Sequence, residues 1–358
     1  NQEINKGCTM KNKLKHLVPV LLALATITGS LSACELKPKA QQKVSKQGFY
    51  FDTIIQITLY GTTDEKYIDD CFDMAKKYED MLSNTVSYSE VSKINDAAGK
   101  EYVTVSDDTL ELIKNGIEYG DTSDGRFDIT IGKLSDLWNF SEIAENTDSK
   151  DNEVDASVVP SDAQIQSELS HVNYRNIQIN GNDVMLTDSK AKLDLGGIAK
   201  GFIADKMKAY LQSKKITSGI INLGGNVLTV GEKSDGSDYT VGIQKPFDES
   251  GEPICTVKIK DKSVVTSGIY ERYYRVDGKL YHHILDTTTG YPVKNNLYSV
   301  TIISDSSCDG DALSTTCFAL GIDKAKELIN SLSGVEAIFV TDDYSIITTS
   351  DEYNVSTE

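Results

Sequence analysis

Four separated stretches of this chain carry residue types suited to acid–base and phosphate chemistry. In DLGGIAKG, Asp194 to Gly201, two glycines stand directly before a helix-forming run. Such glycines let backbone approach a ligand closely, and the first-turn N–H groups of the helix that follows favour a phosphate or carboxylate. Lys200 adds a mobile positive charge and Asp194 a carboxylate. The same letters also fit a tight strand–helix turn with a solvated lysine. In the run from Thr266 to Pro292, His282 and His283 are neighbours, and Arg272 and Arg275 are two of only four arginines, with Arg126 and Arg175. Adjacent strand residues point to opposite faces, so one histidine of the pair enters a given pocket, where it could act as acid or base. A pair with one core and one surface member fits equally, whereas a metal site shared by both is disfavoured. In SCDGDALSTTCFALG, Asp311 and Thr315 stand four apart, on one helix face, as two oxygen ligands for Mg²⁺ or as a first-turn acid and a packed methyl. In INLGGNVLTVG, Asn222 and Asn226 flank Gly224 and Gly225, which implies either close approach of a ligand or a β-bulge. Together the four favour a nucleotide-phosphate site with Mg²⁺.

The elements that must hold these residues read as α+β with substantial antiparallel sheet and packed helices. TIIQITLY (53–60) reads as a strand, and Ile68, Cys71, Phe72, Ala75, Tyr78 and Leu82 recur at helical spacing. Ser106 can cap a second helix presenting Leu110, Ile113 and Ile117. Residues 139–161 read as an acidic surface excursion. NIQINGNDVMLTD is a hairpin signal turning at Asn180–Asp183, and a helix spans about 199–212. Strand-like runs follow at 219–223, 238–244, 254–260, 271–276, 279–285 and 297–304, with Asp277-Gly278 as a hairpin turn. Helices near 311–318 and 324–332 and a strand pair at 335–348 complete the chain. Several strands have hairpin-like neighbours, which argues against a doubly wound parallel sheet. No GxGxxG, G-x-S-x-G, P-loop or HExxH pattern is present.

The 358 residues carry a net charge of -18, with 36 basic against 54 acidic side chains. Nothing supplies the basic face that nucleic acid requires, so no nucleic-acid partner is expected. The six cysteines include no CxxC, which argues against a disulfide framework or a structural zinc site; Cys71 and Cys317 read as core thiols.

Met10 reads as the start of translation, with 1–9 as upstream sequence. Lys11, Lys13 and Lys15 precede an apolar run from Leu17 to Ile27, and LSAC ends at Cys34. That is the layout of an export signal, and LSAC resembles the lipobox of bacterial lipoproteins. The resemblance implies lipidation of Cys34; the polar, Lys-rich stretch that follows reads as a tether over 34–47, and 48–350 as a single domain, either undivided or in two intimately packed lobes. The expected location is the outer face of the bacterial cytoplasmic membrane, held there by the lipid.

Eight segments in order resemble the ApbE family, flavin transferases that move FMN from FAD onto a threonine or serine. They are FDTIIQI (51–57), MLSNTVSYSEVSKIN (81–95), GRFDITIGKLSDLW (125–138), DLGGIAKG (194–201), INLGGN (221–226), TSGIYER (266–272), HHILDTTTGYP (282–292) and DALSTTCFALG (311–321). The resemblance implies an ApbE-like fold, FAD as donor substrate and Mg²⁺. It implies FAD contacts from Phe51, Ser83, Asn84, Thr85, Gly125, Arg126, Phe127, Asp128, Asp194, Lys200, Asn222, Arg272, His283, Ile284 and Leu285. His283 and Asp194 would be catalytic, and Gly197, through its carbonyl, with Asp311 and Thr315 would hold the metal. Phe51 stands where the family often has methionine, and Thr287 where it usually has proline. The implied partner is an exported acceptor protein with a D-x-[ST]-G-A-T-like segment, and the expected state is a monomer. Metal-dependent hydrolysis of FAD to FMN and AMP, or FAD binding without turnover, are the alternative functions.

Overall fold

The computed structural model describes residues 42–147, 152–248, 250–353 and 355–357. The expected export signal and Cys34 lie outside the described residues. The main sheet has eight strands whose spatial order follows the chain: Lys43–Tyr50, Thr53–Tyr60, Ser218–Leu223, Asn226–Gly231, Ser263–Gly268, Leu297–Ser304, Glu336–Thr341 and Ile346–Thr348. Every neighbouring pair is antiparallel. The mixed α+β class expected from the sequence is therefore the observed one.

One sheet face carries helices. Lys66–Leu82 buries Ile68, Cys71, Phe72, Ala75, Tyr78 and Leu82, the stripe that the spacing predicts. Ala199–Ser213 and Ser307–Leu320 pack beside it, and their apolar residues join the strands in two continuous clusters. The opposite face is covered by a hairpin, Tyr239–Gln244 with Pro253–Ile259, whose Tyr239, Val241, Ile243, Val257 and Ile259 pack on Val264, Ile303 and Ile338. Apolar residues on both faces of the strands thus leave water. Ser106 caps Asp107–Thr122 by accepting from Thr109 N, as expected. Cys71 and Cys317 are buried free thiols.

Three sequence expectations change. The strand Lys43–Tyr50 takes in the last five residues of the expected tether and pairs with Thr53–Tyr60 through a turn at Phe51 and Asp52 (φ 53° and 54°). Asn226–Gly231 is a full strand, so Gly224 and Gly225 (φ 60° and 93°) form a hairpin turn and not a bulge. The described parts of the 139–161 stretch, 139–147 and 152–161, are anchored. Phe140 is buried and stacks on Trp138 (centroids 5.6 Å) and on Tyr274 (5.0 Å), and Val154 N donates to the Arg275 carbonyl at 2.9 Å. Its apolar members close a separate cluster with Leu134, Ile165 and Leu285, beneath the hairpin Tyr273–Val276/Lys279–His282.

Candidate active site

The site forms where the helices Ala199–Ser213 and Ser307–Leu320 meet. They meet closely because position 201 is glycine: a Cβ there would lie 2.1 Å from the Ser307 carbonyl oxygen. Asp205, one turn further, accepts from Ser307 N (2.8 Å), Cys308 N (2.9 Å) and Ser306 Oγ (3.0 Å), which caps the second helix with a side chain of the first. In return Asp311 Oδ2 accepts from Gly201 N at 3.0 Å. With Ile198 N and Ala199 N bonded to the Leu195 carbonyl, and Phe202 N to that of Ile198, these N–H groups at the helix start are already committed. Four N–H groups around the helix start are thus bonded within the protein, and the two helices share terminal groups beneath the cleft.

That cleft, with about 1020 Å³ of empty space when the open solvent at its mouth is included, gathers residues from every stretch singled out for chemistry. Asp194, Gly197 and Lys200 line it from the glycine turn, Asn226 and Gly224 from the strand turn, Arg272, His283, Ile284 and Leu285 from the histidine hairpin, and Asp311 and Thr315 from the helix. Arg126, Phe127 and Asp128 form a further wall. Lys200 Nζ stands 3.6 Å from Asp311 Oδ1 and 3.2 Å from the Gly196 carbonyl. Asp194 Oδ1 accepts from Gly196 N at 2.8 Å, fixing the turn. Thr315 Oγ1 lies 3.0 Å from Ser267 Oγ.

The adjacent histidines separate as strand geometry requires. His282 is buried, with Nε2 3.0 Å from the Val293 carbonyl, and burial lowers its pKa to about 4. His283, just past the strand end, lines the cleft. Its Nδ1 lies 3.2 Å from the Arg272 carbonyl, which fixes the proton there and leaves Nε2 as the basic nitrogen. Burial first, then the nearby charges of Arg272 and Lys200 and the neighbouring His282, hold its pKa well below the usual imidazole value, so it is neutral at pH 7.

Glu271 is a lining residue that the sequence reading passed over. Its side chain is open to the water of the cleft while protein encloses it on most sides. That enclosure pushes its carboxyl up to about 7, against the opposing charges of Lys200 and Arg272 and with a further rise from Asp311. Its place directly before Arg272, within the TSGIYER segment, was the available signal. Asp128 lines the wall, but its oxygens accept from Thr130 N (2.7 Å), Thr130 Oγ1 (2.6 Å) and Tyr174 N (2.9 Å), so it anchors its own loop.

The remaining candidates sit outside the lining of this cleft. Phe51 occupies the turn at the sheet edge, its N–H donating to Glu79 Oε1 at 2.8 Å. Ser83, Asn84 and Thr85 form the turn after Lys66–Leu82, where Ser83 Oγ accepts from Thr85 N (3.1 Å) and Val86 N (3.2 Å). Asn222 Oδ1 accepts from Gly225 N at 3.0 Å and shapes the hairpin turn. Gly125 precedes the Arg126 wall and offers its carbonyl to Thr287.

Among the described residues no group of three or more His, Cys, Asp or Glu is placed to hold a metal. A hard cation needs less: Mg²⁺ uses one or two carboxylates with other oxygens and completes its shell from water and substrate phosphates. Asp311, Thr315 and the Gly197 carbonyl are such oxygen donors around one cleft, and the Lys200 ammonium already faces Asp311 as a cation. The donor set fits Mg²⁺.

Known proteins resemble the chain in sequence and in fold. The model of the ApbE family matches residues 51–339. The chain is 38% identical over 298 residues to an FAD:protein FMN transferase of Klebsiella pneumoniae (strain 342), covering 83% of this chain and 88% of that one. It is 31% identical over 291 residues to one of Treponema pallidum (strain Nichols), covering 77% of each. The solved ApbE protein of Thermotoga maritima superposes with a TM-score of 0.76 at 31% identity, over 86% of this chain and 96% of that one. The flavin transferase ApbE of Vibrio cholerae gives 0.74 at 25%, over the same shares. By sequence and fold alike, the chain belongs to the ApbE family.

Proposed function

We propose that this chain is an FAD:protein FMN transferase that joins FMN to a threonine or serine hydroxyl of an acceptor protein and releases AMP. The observation that carries it is the convergence of Asp194, Gly197, Lys200, Arg272, His283, Asp311 and Thr315, from three distant stretches, on one cleft. Lys200 and Arg272 offset the charge of the FAD pyrophosphate, and Arg272 presents a fork suited to phosphate oxygens. His283 Nε2 takes the proton of the acceptor hydroxyl. The freed oxygen bonds to the FMN-side phosphorus, and the bond from that phosphorus to the bridging oxygen breaks, so that AMP leaves with the bridging oxygen and its electron pair. Asp311, Thr315 and the Gly197 carbonyl would hold Mg²⁺, which when bound neutralises charge on the phosphate oxygens. Asp194 stands ready to orient the donor at the glycine turn. With Cys34 lipidated, the domain would work outside the cytoplasmic membrane on exported acceptors.

The test is incubation of the full chain with FAD, Mg²⁺ and an acceptor carrying a D-x-[ST]-G-A-T segment. Covalent flavin fluorescence on the acceptor band with equimolar AMP is the expected result. FMN and AMP with an unlabelled acceptor would mark a hydrolase, and intact FAD after long incubation a binding protein.

A further inference from the structure

Two walls of the cleft come from loops about 160 residues apart and are joined behind the site by side chains. Arg126 Nη1 donates to Asp286 Oδ1 (2.9 Å) and Thr288 Oγ1 (3.2 Å), and Thr287 Oγ1 donates to the Gly125 carbonyl at 2.7 Å. Each half of this junction is stiff. Asp286 Oδ1 also accepts from Thr288 N (2.8 Å) and Oγ1 (2.6 Å), while Asp286 N donates to the Tyr291 carbonyl at 2.8 Å. On the other side Gly125, at φ 77°, donates to the Gly120 carbonyl (2.8 Å), and Phe127 N donates to Ser123 Oγ (2.9 Å). Directly beyond the junction lie the lining residues, Arg126 to Asp128 on one wall and His283 to Leu285 on the other.

We infer that Thr287 is a positioning residue: its hydroxyl, with the Arg126–Asp286 pair beside it, sets the separation of the His283 wall from the Phe127 wall. The inference rests on the FMN-transfer reading, because the quantity set is the reach of the basic nitrogen to a donor bound in the cleft between the two walls. Arg126 borders the cleft, but its guanidinium is committed to the junction, so it acts through its loop. Misplacement of reacting groups by a fraction of an ångström lowers rate far more than affinity.

The test measures FAD affinity by flavin fluorescence, kcat and KM for FMN transfer, and thermal midpoint, all on the full chain. Thr287→Val should lower kcat about tenfold while FAD affinity stays within about threefold and the midpoint is little changed, and Thr287→Ser should restore kcat to within about twofold of the parent. Wild-type kcat in Thr287→Val, equal damage in Thr287→Val and Thr287→Ser, or a parallel fall of kcat, affinity and midpoint would each overturn the inference. Should Thr287→Val fail to fold, Asp286→Asn loosens the other arm of the junction. It should lower kcat about threefold at unchanged affinity, and an unchanged kcat refutes the idea. A parent chain that binds FAD yet transfers nothing sinks the function and this inference together. Parent transfer with an indifferent Thr287→Val sinks the inference alone.

Discussion

At the floor of the cleft two helices meet backbone to backbone, whereas at its rim two loops meet through side chains. The floor is set by Gly201 against the Ser307 carbonyl, by Asp205 capping one helix and by Asp311 bonding the other. Its groups are buried, and any added atom must displace a backbone. The rim, carrying His283 and Arg272, hangs on the end of one hairpin, with His283 N and Nδ1 both at the Arg272 carbonyl (3.1 and 3.2 Å), and on the weak Arg272–Ser141 contact at 3.4 Å. The difference implies a division: changes at the rim alter rate without stability, and changes at the floor alter both.

His283→Ala is the largest expected break of rate from stability. Loss of a general base should lower kcat by about 10²- to 10⁴-fold, with FAD affinity and thermal midpoint preserved. An equal loss of affinity would move His283 from proton transfer to binding. Asp311→Ala, at the floor, should lower Mg²⁺-dependent AMP release at saturating FAD by about a hundredfold and also weaken the helix junction. Turnover above about a tenth of the parent would remove Asp311 from the metal role. Gly201→Ala should destabilise the fold by about 3 kcal/mol in denaturant unfolding, since a backbone carbonyl occupies the methyl position. A neutral effect there would refute the rigid floor.

The smallest effect tests the burial of His282 by pH. The folded pKa of His282, about 4, lies below its unfolded value, so its contribution is complete above roughly pH 6.5 and is lost as pH falls through about 4. At most about 3 kcal/mol of stability should disappear over that window in the parent chain, and less in His282→Gln. Identical pH–stability curves would show that His282 is not buried neutral.

Much of this was legible in the residues, and the failures have physical causes. The helix Lys66–Leu82 announced itself because only one stripe of it is buried. Ser307–Leu320 was read from 311 because it is buried on nearly all sides, Ser307, Cys308 and Gly310 included, so no stripe marks its start. The edge strand Lys43–Tyr50 escaped because one well-buried residue, Val44, among charged neighbours gives little alternation, and its turn at Phe51 and Asp52 has no glycine. Phe140 was hidden in acidic text, though a single aromatic is enough to pin such a segment to Trp138 and Tyr274. Asp311 and Lys200 were both named, but nothing local said that the carboxylate would bond to the backbone of Lys200's own helix.

The family was carried by the resemblance of eight sequence segments, and residue type and spacing carried the α+β class and the opposed directions of the two histidines, because these depend on covalent order and local periodicity. The tertiary structure decided which candidates share a cleft, that Glu271 joins them, that Asp311 bonds Gly201 N of the neighbouring helix, and that Thr287 bonds the Gly125 carbonyl across the two walls. Those outcomes depend on contacts between residues far apart in sequence, where packing and desolvation fix distance and proton affinity, and no local pattern encodes either.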